Sequence, residues 1–192
     1  MKIGGVTKLS TIDFPNELSY IIFLKGCDFR CRYCHNKDLP KSPDIPYTNI
    51  LSELEQRKSF NTAVVFSGGE ATLQLEEAHL RPLKSLGYKI GLHTNLNSPT
   101  RLQSLLELKL LDWVGADVKT SLDNRYDILS GVKDSYVNVK KSLSLLKESG
   151  INYELRLTWD KGIIDEEQIK ELETTLILSG HPKLKLQRCN QN

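Results

Sequence analysis

The chain has 192 residues, of which 39% are hydrophobic and 26% charged, the balance of a folded globular protein rather than a disordered or fibrous one. Lysine and arginine number 26 against 24 acidic residues, a net charge of +2, and the two signs are interspersed, so no nucleic-acid partner is expected. A chain of this length buries about 70% of the surface its unfolded form exposes; it needs no disulfide or metal as a staple, and a metal site in it would serve chemistry. No apolar run nears the ~20 residues of a membrane span, and the opening MKIGGVTKLSTIDFP has no signal-peptide segment. The expectation is one cytoplasmic domain over residues 1–192 with no membrane partner.

In chain order, periodicity predicts a strand at 19–25, a loop through 26–46 that carries Pro40, Pro43 and Pro46, and a helix over 47–58. A buried strand over 62–67 ends in Gly68-Gly69, and a helix over 74–86 stops at Gly87. Strand 88–95, helix 99–109 and strand 112–118 repeat the alternation, followed by helix 135–149, strand 152–159, helix 164–178 and a short strand at 183–187. About six strand–helix units argue for a parallel sheet covered by helices. A full eight-unit barrel takes about 250 residues, so the expected α/β architecture is an open sheet or a partial barrel. Ligands of such sheets sit at the C-terminal ends of the strands.

Three of the four cysteines fall at one such end, in Lys25-Gly-Cys27-Asp-Phe-Arg-Cys31-Arg-Tyr-Cys34-His35-Asn36. This is not a disulfide framework, and clustered thiols in a reducing compartment are metal ligands or catalytic groups. The spacing is also helical, and buried cysteine behaves as a small hydrophobe, but Asp28, Arg30, Arg32 and His35 surround the thiols with charge. A structural zinc takes four protein ligands, and His35 would have to turn back beside Cys34 to be the fourth. An iron–sulfur cube takes thiolates, and three of them leave one iron open to a small molecule, which points to catalysis.

Cys-x3-Cys-x2-Cys with an aromatic before the last cysteine resembles the signature of the radical S-adenosylmethionine (SAM) enzymes, and implies a partial (βα)6-type barrel of mainly parallel strands with outer helices. In that family Cys27, Cys31 and Cys34 would hold one 4Fe–4S cluster whose open iron chelates the amino and carboxylate groups of SAM. The reduced cluster splits SAM into methionine and a 5'-deoxyadenosyl radical that abstracts hydrogen. The resemblance places Tyr33, Cys34 and His35 beside SAM, and gives Gly68-Gly69-Glu70 the methionine amino group. Glycine lets backbone carbonyls approach an ammonium closely, and a neighbouring acid favours the charge. Asp117-Val-Lys119 ends a strand, and the period of two puts both charges on one face. Taken alone this is a solvated ion pair; by resemblance to the glycyl-radical activating enzymes, Lys119 holds the SAM carboxylate and Asp117 orients it. Strand 152–159 alternates Asn152, Glu154, Arg156 and Thr158 with Tyr153, Leu155, Leu157 and Trp159; in a partial barrel the polar set faces inward, and Arg156 becomes a SAM contact. Thr94-Asn95 resembles the family's Thr-Asn-Gly, with Asn95 a candidate contact. Ala71 stands where the family has proline, and Leu96 where it has glycine.

Ser10-Thr-Ile-Asp13-Phe-Pro15, the cysteine loop and Gly68-Gly-Glu-Ala-Thr-Leu-Gln74 together resemble the activating proteins of anaerobic ribonucleoside-triphosphate reductase. The partner implied is that glycyl-radical enzyme, with a flavodoxin or ferredoxin as reductant, and the opening segment is expected near the barrel mouth. After strand 152–159 only 33 residues follow, with no ligand set for a second cluster. A radical SAM enzyme acting on a small molecule, such as a 7-carboxy-7-deazaguanine synthase, is the nearer alternative, and a non-catalytic iron–sulfur or zinc protein the further one. Cys189 is read as a free thiol, Trp113 and Trp159 as core residues, and His93 and His181 have no informative spacing.

Overall fold

The computed structural model describes residues 1–188, so Cys189 lies outside the described residues. Seven strands form one sheet in sequence order: β1 (Ile3–Ser10), β2 (Ser19–Leu24), β3 (Ala63–Gly68), β4 (Lys89–Thr94), β5 (Trp113–Asp117), β6 (Asn152–Trp159) and β7 (Leu184–Arg188). β1 runs antiparallel to β2 and every later pair is parallel. β1 and β7 are the two ends of the sheet, so the partial barrel is open, as expected. The helices α1 (Tyr47–Gln56), α2 (Glu77–Ser85), α3 (Pro99–Glu107), α4 (Asn124–Ser130), α5 (Ser135–Ser149) and α6 (Glu166–Leu178) occupy the connections. Among the described residues no helix is long and apolar enough to cross a membrane.

The predicted strands and most helices match to within a few residues, and three differences have local causes. β1 was not expected, because IGGVTKLS lacks a clear alternation; Gly4 leaves room for Leu39 and Ser42 where a Cβ would stand 2.7 Å from the Ser42 hydroxyl. The helix predicted over 74–86 starts only at Glu77. Gln74 turns its carboxamide to the Lys25 carbonyl and the Lys2 amide, and Glu76 caps α2. The seven-residue α4, capped by Asp123 and ended by Gly131 in the left-handed region, is too short to leave a periodic signal.

Side-chain parity divides the sheet into two faces. Tyr20, Ile22, Leu24, Val64, Phe66, Ile90, Leu92, Val114, Ala116, Leu155 and Leu157 point outward into the main core under the helices. The inner face is graded along the strands. Near the N-terminal ends Ile21, Ala63, Val65 and Trp113 form a second apolar cluster with Phe14; toward the C-terminal ends the inward positions become Ser67, His93, Asp117, Arg156 and Thr158.

Phe14 belongs to the loop between β1 and β2, and this corrects the expectation for the opening segment. Ser10 pairs with Ser19, at the N-terminal end of β2, so residues 11–18 enter the inner face from the end opposite the mouth. Phe14 packs on Trp113 with ring centroids 5.3 Å apart and fits over Gly91, where a Cβ would come within 2.9 Å of its ring. The loop is a floor, not a rim. Phe14→Ala should lower stability by about 3 kcal/mol, read as a shift in the denaturant midpoint.

Candidate active site

The loops after β2, β3, β4 and β5 and the end of β6 meet at the C-terminal ends of the strands around a cavity of about 550 Å³, within the usual size of small-molecule sites. Cys27, Cys31, Tyr33, Cys34, His35, Gly68, Gly69, Asn95, Asp117, Lys119 and Arg156 all line it. Of the expected site residues, only Glu70 does not.

The cysteine loop is held by contacts on every side. Asp28 accepts from the carboxamides of Asn95 (2.8 Å) and Asn97 (2.7 Å), and the Arg30 amide donates to the Ser130 carbonyl at 2.8 Å. Arg32 reaches the Gly162 carbonyl (3.0 Å) and Asn36 that of Gly68 (2.9 Å). These bonds fix the backbone between the thiols without using them. Cys27 and Cys34 are exposed and Cys31 is partly buried. Desolvation of the sulfur pushes the Cys27 thiol up to about 12, and raises that of Cys31 against the opposing charge of Lys119. The Cys27 and Cys31 thiols therefore keep their protons at neutral pH, and a metal that binds them must displace those protons.

The glycine pair has a reason beyond ligand approach. The Gly69 amide donates to the Leu24 carbonyl at 2.7 Å, and the Glu70 amide to that of Gly26 at 2.8 Å. A Cβ on Gly69 would stand 1.9 Å from the Gly26 oxygen, and one on Gly68, whose φ is +107°, would strike the Leu24 backbone. Two backbones touch here, and only glycine permits it.

Glu70 is fully buried behind this turn. One carboxylate oxygen accepts from the Thr72 amide (3.1 Å) and from the Thr72 and Thr94 hydroxyls (2.6 and 2.8 Å); the other accepts from the Asn95 amide (2.7 Å). Burial raises its carboxyl above the ordinary range, against these donors. Its side chain ties the end of β3 to the end of β4 and faces away from the cavity. Ala71 opens a single 3-10 turn. Leu96 adopts a left-handed φ of 68°, the conformation that glycine takes at no steric cost and that costs other residues about 1 kcal/mol. Its amide bonds the Thr94 hydroxyl, its carbonyl accepts from Ser142 at 2.6 Å, and its side chain is buried. The glycine-type turn is kept without glycine.

On the opposite wall one carboxylate serves two cations. Asp117 Oδ2 meets the Lys119 ammonium at 3.0 Å, and Oδ1 accepts from Arg156 Nε (2.9 Å) and Nη2 (2.8 Å). Arg156 Nη1 stands 2.9 Å from His93 Nε2, and the guanidinium lies over Trp113, 5.9 Å from its ring centroid. Gly115 makes room for it, since a Cβ there would sit 2.7 Å from Cζ. Burial opposes ionisation of Asp117, but Arg156, Lys119 and His93 together hold its carboxyl well below the usual carboxylate range. Burial likewise opposes the Lys119 charge, and the Asp117 carboxylate outweighs it.

Sequence reasoning missed His93, Asp28, Asn97 and Asn36. His93 has the inward parity of Gly91 in a strand whose Ile90 and Leu92 point outward, and Asp28 lies inside the cysteine loop; those were the available signals. Trp113 is in the core as expected.

Because Asp117 is held below its ordinary value of 3.8, its contribution to stability is fully present above about pH 4 and is lost only as pH falls through the depressed value. Asp117→Asn should therefore cost about 3 kcal/mol at pH 7, and the same difference in denaturation midpoint should persist at pH 4.5.

The radical SAM superfamily model matches residues 21–175. A Methanocaldococcus jannaschii protein whose name places it among the glycyl-radical enzyme activating enzymes is 32% identical over 181 residues, covering 91% of this chain and 75% of that protein. The pyruvate formate-lyase-activating enzymes of Staphylococcus aureus and Streptococcus mutans are 31% and 28% identical, over 76% and 67% of this chain. The chain spans only 64% and 54% of their lengths. Among solved structures, anSMEcpe with bound AdoMet and a peptide superposes with a TM-score of 0.66 at 18% identity, over 85% of this chain and 48% of that one. QueE from Escherichia coli superposes with a TM-score of 0.57 at 12% identity, over 97% and 93%. These two likenesses speak to the fold alone. By sequence, the chain belongs to the radical SAM superfamily, among the glycyl-radical enzyme activating enzymes, a family that works with a 4Fe–4S cluster and SAM.

Proposed function

We propose that this chain is a single-domain cytoplasmic activase that cleaves SAM reductively at one 4Fe–4S cluster held by Cys27, Cys31 and Cys34. The product of that cleavage generates a glycyl radical on a partner enzyme, anaerobic ribonucleoside-triphosphate reductase. The observation that carries the reading is convergence: three thiols, a glycine turn and a partly buried ammonium open into one cavity.

The residues present fit both groups. Cys27, Cys31 and Cys34 line the same cavity and would supply three thiolates to an iron–sulfur cluster. The Tyr33 hydroxyl is buried without a hydrogen-bond partner beside Cys34, a spare donor for a bound molecule. Lys119 and Arg156 carry two positive charges against the single negative charge of Asp117, an excess suited to a carboxylate.

What the bound group supplies is a one-electron reduction of the SAM sulfonium, with the electron drawn from a flavodoxin or ferredoxin. The chain's residues bind and orient. Lys119 presents its ammonium to the methionine carboxylate, Asp117 and Arg156 hold it in place, and Gly68 and Gly69 offer backbone to the amino group. Tyr33, His35 and Asn95 close the wall beside the thiols, while Glu70 keeps the glycine turn and the β4 turn in register from behind. The partner assignment is supported by the likeness of Ser10–Pro15 and the cysteine loop to the reductase activators.

Alanine at any one of Cys27, Cys31 or Cys34 should abolish release of 5'-deoxyadenosine by the anaerobically reconstituted protein; a variant that still cleaves SAM would sink the assignment. Lys119→Ala should weaken SAM binding about tenfold, the loss of one charged hydrogen bond, with iron content unchanged. Mixing the reduced, SAM-loaded chain with anaerobic ribonucleotide reductase, and separately with pyruvate formate-lyase, should give a glycyl-radical paramagnetic resonance doublet on the reductase. A doublet on the lyase alone would reassign the partner, and SAM cleavage with no protein radical would favour a small-molecule substrate.

A further inference from the structure

Resting on the reading above, the geometry points to His93 as a positioning residue for SAM binding: an imidazole acceptor that pins Arg156 and, through Asp117, sets where the Lys119 ammonium stands. His93 lies on the inner face of β4, 9% exposed. Its ring stands edge-on to Trp113 with centroids 5.6 Å apart, which fixes its plane. Nδ1 is 3.1 Å from the Ser67 hydroxyl and Nε2 is 2.9 Å from Arg156 Nη1.

A guanidinium only donates, so Nε2 bears the lone pair, and Nδ1 bears the hydrogen and donates to Ser67. The Asp13 carbonyl, 3.0 Å from Nε2, would suit the other tautomer, but the obligatory Arg156 donor decides against it. The charged groups around the ring are Asp13 from the floor loop, Asp117 and Lys119 at the end of β5, and Arg156 from β6; β3 contributes only Ser67. Burial and the Arg156 charge push the imidazole down to about 4, so it stays an acceptor throughout the neutral range.

The consequence is a division of labour on Asp117. Arg156 has two bonds to Oδ1 and one to His93, and this last bond fixes the rotation of the guanidinium. With Arg156 so held, Oδ2 is left to Lys119. Without the imidazole acceptor, Nη1 is a buried donor with no partner, and Arg156 is free to turn across the carboxylate and compete for Oδ2. Lys119 then loses its anchor although no group that meets SAM has been changed.

The test measures SAM affinity by equilibrium dialysis on the anaerobically reconstituted chain, with iron content and melting temperature recorded alongside. His93→Phe keeps the ring and its contact with Trp113 but offers no acceptor, and should weaken SAM about tenfold; His93→Gln restores an acceptor and should return affinity to within about threefold of the parent. Adding Arg156→Gln to His93→Phe should cost much less than Arg156→Gln alone, because the two act as one unit. Ser67→Ala leaves the imidazole in place without its orienting partner and should weaken SAM about threefold; this variant carries the test if the phenylalanine variant does not fold. Parental affinity in His93→Phe or Ser67→Ala, strict additivity with Arg156→Gln, or failure of His93→Gln to rescue a folded His93→Phe defect would each overturn the inference. If the parent chain, with its cluster, does not bind SAM, the proposed function itself fails.

Discussion

A single carboxylate set between a buried guanidinium and a partly buried ammonium governs the inner wall of this molecule. Asp117 is the end of β5, Lys119 lies two residues beyond it, and Arg156 arrives from β6 by parallel register, Asp117 opposite Arg156. Two cations desolvated beside one anion leave a net positive charge in a cavity, and burying an uncompensated charge is costly. The cost is contained by arrangement. Trp113 offers a π face to the guanidinium, Gly115 gives up its side chain to admit it, and a neutral histidine takes a third donor. What is left over is an ammonium held at the cavity wall, with affinity to spare for an anion.

The facing wall is built on a different principle, contact between main chains. Gly26, Gly68 and Gly69 allow the loops after β2 and β3 to lie against one another at hydrogen-bond distance, and Glu70 fastens the pair to the loop after β4. The cysteine loop is thus positioned by main-chain carbonyls, the Asp28 carboxylate and the Arg32 guanidinium, and of its thiols only that of Cys27 accepts hydrogen bonds among the described residues. Such separation of scaffold from ligand is what a site holding a labile inorganic group requires, since the second layer of contacts orients the first.

Much of this was legible in the residue pattern. The outward parity of Ile90, Leu92, Val114, Leu155 and Leu157 announced the strands and their covered face, and the same parity placed Asp117 and Arg156 on the inner one. Sequence fell short where a side chain's direction is set by something other than strand period. Glu70 comes two residues after Gly68, whose φ is +107°, so the alternation breaks and the carboxylate swings behind the wall instead of into the cavity. Phe14 sits in an irregular loop whose direction depends on β1, and β1, with Gly4, Gly5 and its exposed Lys8, carries no alternating signal. His93 was visible as a polar residue on an apolar strand, but its partners come from three other strands and a loop, and no spacing along the chain encodes them.

The Phe14–Trp113 layer has a kinetic meaning. It fills the end of the inner face away from the cysteine loop with two packed, tilted aromatic rings, and so directs traffic to the strand ends. Whatever enters between the strand ends departs the same way, in reverse order of arrival. A protein seated over the strand ends would hold the small molecules behind it captive until it left, so the lifetime of the protein–protein encounter, rather than the affinity for each small molecule, would set the interval between turnovers.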